Sequence, residues 1–365
     1  MNIDKIEEAF KSLKGKIVFG IDGYVDEVWE VVESRDNEKD VKKYSQMKKF
    51  GELIVNCGTG GLSTEILGKR RCFGGFTANT GKAALNLGIS TTMVGLYGKE
   101  SIDPVFKEFE KSCELYSIGN PNVCYIMEFE DGKIMLVDNK GIKGIDWKTL
   151  INVIDEETLK NIFRGGDIIA LGYWSNIPTF DEFVDGIIGF LDDNSSQRIF
   201  LDLADIRKRD EMSLHKAMDR FSILSKKIPI TLSLNEHEAD LLLKSYKMEF
   251  HYDPVIICRD IQNLMEVLPL DEIIVHTPHF ASAVNLKGEA ETVPQLYCEK
   301  PVRTTAAGDN FNGGYLAASI ASLDLYERLA VANAASRVFL GSGHSANRME
   351  LIEELKNMKM GGTIC

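Results

Sequence analysis

The sequence predicts an α/β fold: a central mostly parallel sheet flanked by helices, with a small β lid attached. Two patterns carry this. From about residue 146, short apolar runs alternate with amphipathic stretches, the rhythm of successive βαβ units. Earlier, the apolar runs 124–129 and 133–137 flank Glu130-Asp131-Gly132. Asp-Gly between two such runs signals a tight hairpin, and a hairpin inside an alternating chain reads as an appendage.

In chain order, residues 4–14 form a short amphipathic helix with Ile6, Ala9, Phe10 and Leu13 on one side. Residues 16–21 are a buried strand running into Asp22-Gly23-Tyr24-Val25-Asp26. Ligands of open α/β sheets sit at strand carboxyl ends, so Asp22 and Asp26 are candidates for gripping hydroxyls. The alternative makes one a turn residue and the other a solvated face. Residues 34–50 are charged and then helix-like, a solvated surface excursion. Gly74 and Gly75 precede a helix that carries Asn79. Paired glycines admit a close ligand, and Asn79 offers both a donor and an acceptor. A tight loop with Asn79 bonded locally fits equally well.

A strand follows at 91–96. Later strands fall at 167–171, 198–202, 230–234 and 272–276, with helices at 180–191, 210–226, 236–245 and 259–268. No repeat or linker divides the chain, which predicts one domain over 1–365.

Lys and Arg number 42 and Asp and Glu 55, a net charge of −13. That balance disfavours nucleic acid and anionic membranes as partners. Cysteines 57, 72, 113, 124, 258, 298 and 365 contain no Cys-x-x-Cys pair. Reduced thiols in a cytoplasmic protein are expected, without a zinc framework. The start of the chain lacks a signal-peptide core, and no apolar run is long enough to span a membrane.

The chemistry concentrates in Arg303-Thr304-Thr305-Ala306-Ala307-Gly308-Asp309, which opens a helix rich in small residues. A helix start offers unpaired N–H groups and a positive dipole end. Small side chains at Ala306, Ala307 and Gly308 leave that backbone bare, and Asp309 sets a carboxylate beside it. An anion hole next to a base suits phosphoryl transfer. Residue types alone equally allow Asp309 to be a first-turn residue.

Asn235 and Glu238 lie three apart at another helix start. They could position hydrated magnesium, although a capping box is the stronger reading of the residues alone. His276 and His279 lack metal-ligand spacing and read as exposed loop residues, with Thr277 between them a possible phosphate contact. Arg207 reads as part of a solvated basic turn. Gly68-Lys69-Arg70 and Gly81-Lys82-Ala83 fail the Walker pattern, and Gly-x-Ser-x-Gly and Gly-x-Gly-x-x-Gly do not occur.

Thr304-Thr305-Ala306-Ala307-Gly308-Asp309 followed by Phe311-Asn312-Gly313 closely resembles the carboxyl-terminal signature of the ribokinase-like (PfkB) sugar kinases. The aspartate-bearing first strand, Gly74-Gly75 with Asn79, Asn235-x-x-Glu238 and Ala332-Asn333-Ala334-Ala335 follow in family order. The resemblance spans roughly residues 15–345. It implies a ribokinase-like three-layer fold with lid insertions at about 24–72 and 113–140. It also implies an ATP- and Mg2+-dependent transfer of the γ-phosphate to a hydroxyl of a sugar or polyol.

By resemblance Asp309 is the base and the 306–308 backbone the anion hole. Asp22, Asp26, Gly74, Gly75 and Asn79 bind the acceptor. Asn235, Thr277, Thr305 and Asn333 serve the nucleotide, and Glu238 with Asn235 holds magnesium through water. The edges of a β lid can pair between subunits, so a homodimer through the lid is an expectation. A nucleoside kinase and a catalytically silent relative are the alternatives.

Three departures stand out. Members activated by a monovalent cation carry Asp where this chain has Arg303, so potassium activation is not expected. Thr277-Pro278-His279 replaces a glycine-rich nucleotide loop. The segment between Asp26 and Gly74 is long.

Overall fold

The computed structural model describes residues 1–192 and 196–360. The chain opens with α1 (Ile3–Lys11) and β1 (Lys16–Gly20). There follow β2 (Tyr24–Arg35), β3 (Val41–Lys43), α2 (Met47–Asn56) and β4 (Ile66–Gly74). Next come α3 (Phe76–Asn86), β5 (Ser90–Gly95) and β6 (Glu114–Ser117), then the hairpin of β7 (Asn122–Phe129) and β8 (Gly132–Asp138).

Helices α4 (Trp147–Val153) and α5 (Glu156–Arg164) lead into the alternating part. It contains β9 (Ile168–Gly172), α6 (Phe180–Phe190), β10 (Arg198–Asp202), α7 (Glu211–Ser225) and β11 (Ile230–Asn235). It continues through α8 (Glu236–Ser245), α9 (Ile257–Val267) and β12 (Glu272–His276). The chain closes with β13 (Phe280–Asn285), β14 (Ala290–Pro294), α10 (Ala307–Ile320), α11 (Leu325–Ser342) and α12 (Arg348–Lys359).

The large sheet runs β14-β13-β12-β11-β10-β9-β1-β5-β6. Pairing is parallel from β12 to β6, and β13 and β14 add antiparallel at one edge. Alternation along each strand sends side chains to opposite faces. Val18, Ile169, Leu171, Ile199 and Leu201 pack with Phe183, Ile187, Phe221 and Leu242 on one side. Ile17, Phe19, Ile168, Ala170 and Phe200 pack with Phe10, Phe76, Phe311, Tyr315 and Val331 on the other. Two such interfaces make a three-layer fold, and covering both faces explains why these strands read as continuous apolar runs. Because the strands are parallel, Gly20, Gly172, Asp202, Asn235 and His276 all end on one edge, where a crevice forms.

The lid is a second sheet built around β2. It pairs antiparallel with β4 and β3 on one side and parallel with β7 on the other, and β8 pairs with β7. Helix α2 closes its outer end, where Phe50 packs on Val31 and Phe129. The hairpin falls where Asp-Gly placed it. Two boundaries differ from expectation. The 34–50 stretch contains a strand, β3, whose Val41 pairs back onto Arg35. Glu114–Ser117 is β6 at the edge of the large sheet, so the second lid segment begins at Asn122. Among the described cysteines, 57, 72, 113, 124 and 258 are free thiols. Cys298 is disulfide-bonded, which departs from the all-thiol expectation.

Candidate active site

A cavity of about 460 Å³ lies at the carboxyl edge of the large sheet, beneath the lid. Asp26, Gly75 and Asn79 line one part, Asp202, Asn235 and Glu238 another, and Thr304 to Asp309 run between them.

The start of α10 forms its floor. Ala306 precedes the helix in a left-handed conformation, φ 78°, with no side-chain cap. An alanine there costs roughly 1 kcal/mol or more, a strain of the kind found at functional sites. The turn closes when the Ala307 N–H donates to the Thr304 carbonyl across 3.2 Å. The N–H groups of Gly308 and Asp309 find no backbone acceptor among the described residues. Ala307 is thus spent on the turn, and the open donors of the first helical turn are Gly308, within the expected 306–308, and Asp309 just beyond it.

Asp309 is buried. Its carboxylate accepts from Asn79 Nδ2 at 3.1 Å and from Thr80 Oγ1 at 3.4 Å. Burial pushes its proton affinity well above the carboxylate range, and the charges of Asp202 and Asp22 add to this. The bonds from Asn79 and Thr80 pull the other way.

Asp26, on β2, projects into the cavity between Cys72 and Cys124, its partners in register on β4 and β7. Burial raises its pKa to about 6, against the opposing charges of Arg303, Lys133 and Arg70. Gly74 makes room for that carboxylate, since a Cβ there would lie 2.4 Å from Asp26 Oδ1.

Asn235 and Glu238 form the capping box that their spacing allows. Asn235 Oδ1 accepts from the His237 and Glu238 N–H groups, and Glu238 Oε2 accepts from the Asn235 N–H. The box leaves Glu238 on the cavity wall. Its pKa stands well above the ordinary value through burial and the charges of Asp202 and Asp205. Asp202 rises to about 6 through burial. A carboxylate raised by the charge of its neighbours suits a divalent cation between them. Among the described residues no three His, Cys, Asp or Glu side chains converge as direct ligands. This donor set therefore fits magnesium that keeps most of its water.

A family model described as prokaryotic ketohexokinase matches residues 4–357. The chain belongs to the prokaryotic ketohexokinase family. A ketohexokinase from Haloferax volcanii is 26% identical over 342 residues, covering 92% of this chain and 90% of that protein. Arabidopsis thaliana ribokinase, solved with ribose and ATP, superposes with a TM-score of 0.66 at 16% identity, covering 94% and 99% of the two chains. An E. coli ribokinase II solved with ATP and Mg2+ gives 0.64 at 15% identity, with the same coverage. These two likenesses show the fold. The protein is a carbohydrate kinase of ribokinase-like architecture.

Within this kinase, Asp26, Gly75, Asn79, Asn235, Glu238, Thr305, Ala306, Ala307, Gly308 and Asp309 share one cavity wall. Four other candidates stand apart from it. Asp22 is fully buried and caps α3, accepting from the Phe76 N–H at 2.7 Å, the Thr77 N–H at 2.8 Å and the Thr77 hydroxyl. Gly74 sits behind Asp26. Thr277 turns its hydroxyl onto its own loop, donating to the Phe280 carbonyl at 3.0 Å and accepting from the His279 and Phe280 N–H groups. Asn333 is fully buried in α11 and donates to the Val293 carbonyl at 3.1 Å. Backbone groups thus claim the side chains of Asp22, Thr277 and Asn333, within its own loop for Thr277 and across the fold for the other two.

Other residues in or beside the cavity escaped the sequence. Asp202 reaches the cavity because Asn312 Nδ2 and the Ala204 N–H hold it at the end of β10. Its place at a strand terminus was the available signal. His276 is packed on Phe311 rather than exposed, with its pKa pushed down to about 4 by burial. Lys133, at the lid tip, donates to Thr305 Oγ1. That contact joins residues far apart in sequence and leaves no local pattern.

Proposed function

We propose that this kinase transfers the γ-phosphate of ATP to a hydroxyl of a ketohexose. The sugar class follows from the family and from the activity named for the Haloferax volcanii relative. The observation that carries the chemistry is Asp309: buried, bonded to Asn79, and set beside the open N–H groups of Gly308 and Asp309.

Asp26 and Asn79 orient the sugar from the lid side and from the start of α3. Asp309 takes the proton of the acceptor hydroxyl as that oxygen attacks, and its raised proton affinity suits the task. The Gly308 and Asp309 N–H groups bear the charge of the phosphoryl group in flight. Glu238, oriented by Asn235, and Asp202 would hold hydrated Mg2+, which supplies charge neutralisation at the phosphates when bound. Lys133 brings the lid down to Thr305 and so excludes water from the transfer.

The lid also supports a homodimer in this reading. β8 is an edge strand, and Met135, Leu136 and Val137 on it are exposed. Sedimentation of the wild type against Leu136→Lys tests it; a monomeric wild type refutes it.

The test of function is sugar-dependent ADP formation across ketohexoses, aldohexoses and nucleosides. A ketohexose is expected to give the highest kcat/KM, with Asp309→Asn inactive. Preference for a nucleoside, or turnover by Asp309→Asn near wild type, refutes the proposal.

A further inference from the structure

We infer that His276 is a further ligand-binding residue, donating its Nε2 hydrogen to a phosphate of the nucleotide held at the start of α10. The inference rests on the phosphotransferase reading above and deepens it. His276 ends β12, where it lies beside Asn235 of β11 in register. Its ring lines the same cavity as Gly308 and Asp309.

The ring edge stands against the open donors. A Cβ built on Gly308 would lie 3.2 Å from His276 Cε1 and 3.8 Å from Nε2. Its face packs on Phe311, with ring centres 4.7 Å apart and planes inclined at 31°, so the edge is held in place. Both packing partners belong to α10, so the imidazole moves with the helix start rather than with the lid.

Neither ring nitrogen finds a hydrogen-bond partner among the described residues, and the half-buried ring opens onto the cavity. The neighbouring Gly308 and Asp309 N–H groups also lack a backbone acceptor. Three donors thus line one stretch of the cavity wall without a protein acceptor among the described residues. An anion with several oxygens satisfies all three together. The acceptor sugar is gripped from Asp26 and Asn79, on the lid and on α3. The oxygens at α10 are therefore those of the nucleotide phosphates.

The test compares His276→Phe, which keeps the stack and removes the donor, with His276→Gln, which restores an N–H. Calorimetry measures Mg·ATP binding, and steady-state kinetics separate KM for ATP from KM for the sugar. His276→Phe is expected to weaken Mg·ATP binding by about 10- to 100-fold, leaving the sugar KM within about twofold. His276→Gln is expected to recover most of the affinity. Should His276→Phe melt early, His276→Met against His276→Gln makes the same comparison.

Unchanged nucleotide affinity in the donorless variant overturns the inference, as does a loss confined to sugar KM. A wild type that binds Mg·ATP yet phosphorylates no sugar refutes the proposed reaction alone, and the binding comparison still decides His276. A wild type that binds no nucleotide overturns the inference.

Discussion

Asn79 donates its side-chain amide to Asp309 across 3.1 Å, tying the first turn of α3 to the first turn of α10. The bond favours the charged carboxylate, while burial and Asp202 favour the neutral acid. The base form is lost as pH falls through a pKa well above the carboxylate range, so kcat/KM should carry an acid limb there. Removing the Asn79 donor raises that pKa further. Asn79→Ala should therefore move the acid limb of the pH–rate profile to higher pH and lower kcat at pH 7 by about tenfold. An unmoved limb would mean that Asp309 does not titrate in the profile. Asp309→Asn should lose about a thousandfold or more in kcat with sugar binding retained.

Asp22 serves the same helix from behind. Its carboxylate takes the first two free N–H groups of α3, which Gly75 cannot cap with a side chain. Asp22→Ala should destabilise the fold by about 2–4 kcal/mol by stranding buried donors, read from urea unfolding. Gly75→Ala should do comparable harm. Gly75 has φ +90°, and a Cβ there would lie 2.3 Å from Asp22 Oδ2. A Gly75→Ala protein with wild-type stability and sugar KM would contradict this geometry.

These two aspartates show what was legible in the sequence. The parallel sheet was readable because each strand is covered on both faces and its apolar run is unbroken. Asp309 was readable because its neighbours in sequence are also its neighbours in space. Asp22 and Asp26 look alike on paper, four residues apart at one strand end. Only the path of β2 decides that Asp26 faces the cavity while Asp22 turns under α3. Thr277 and Asn333 were placed by family order, yet backbone groups claim their side chains, within its own loop for Thr277 and on β14 for Asn333. His276 and Lys133 owe their positions to packing between distant elements, which no local spacing encodes.

Asp26 should trade stability against binding. Its pKa is raised from 3.8 to about 6 by burial, so the folded state holds a proton that the unfolded state releases. The resulting penalty is absent well below pH 3.8, grows as pH rises from 3.8 towards 6 and is complete above that. The shift amounts to at most about 3 kcal/mol. Asp26→Asn should then raise the melting temperature at pH 7.5 and leave it nearly unchanged at about pH 3. Sugar KM should rise about tenfold or more in the same variant. Destabilisation at pH 7.5 would show that the pairing with Arg303 and Lys133 outweighs desolvation.

Arg303 should make this enzyme indifferent to potassium. Its guanidinium carbon lies 5.4 Å from the centre of the Phe339 ring, on the side of the loop that faces α11. Nε is buried without a hydrogen-bond partner among the described residues. A guanidinium packed on an aromatic face is a permanent, poorly hydrated charge. It lies near enough to Asp26 and Lys133 to oppose the rise in one pKa and depress the other. A monovalent cation approaching this loop would meet that charge. Exchange of NaCl for KCl at constant ionic strength should change kcat by less than about twofold. Arg303→Ala should lose about tenfold in kcat, because the loop before the anion hole loses the positive charge that steadies it. A several-fold activation of the wild type by potassium would place a cation site beside Arg303 and remove this role from the guanidinium.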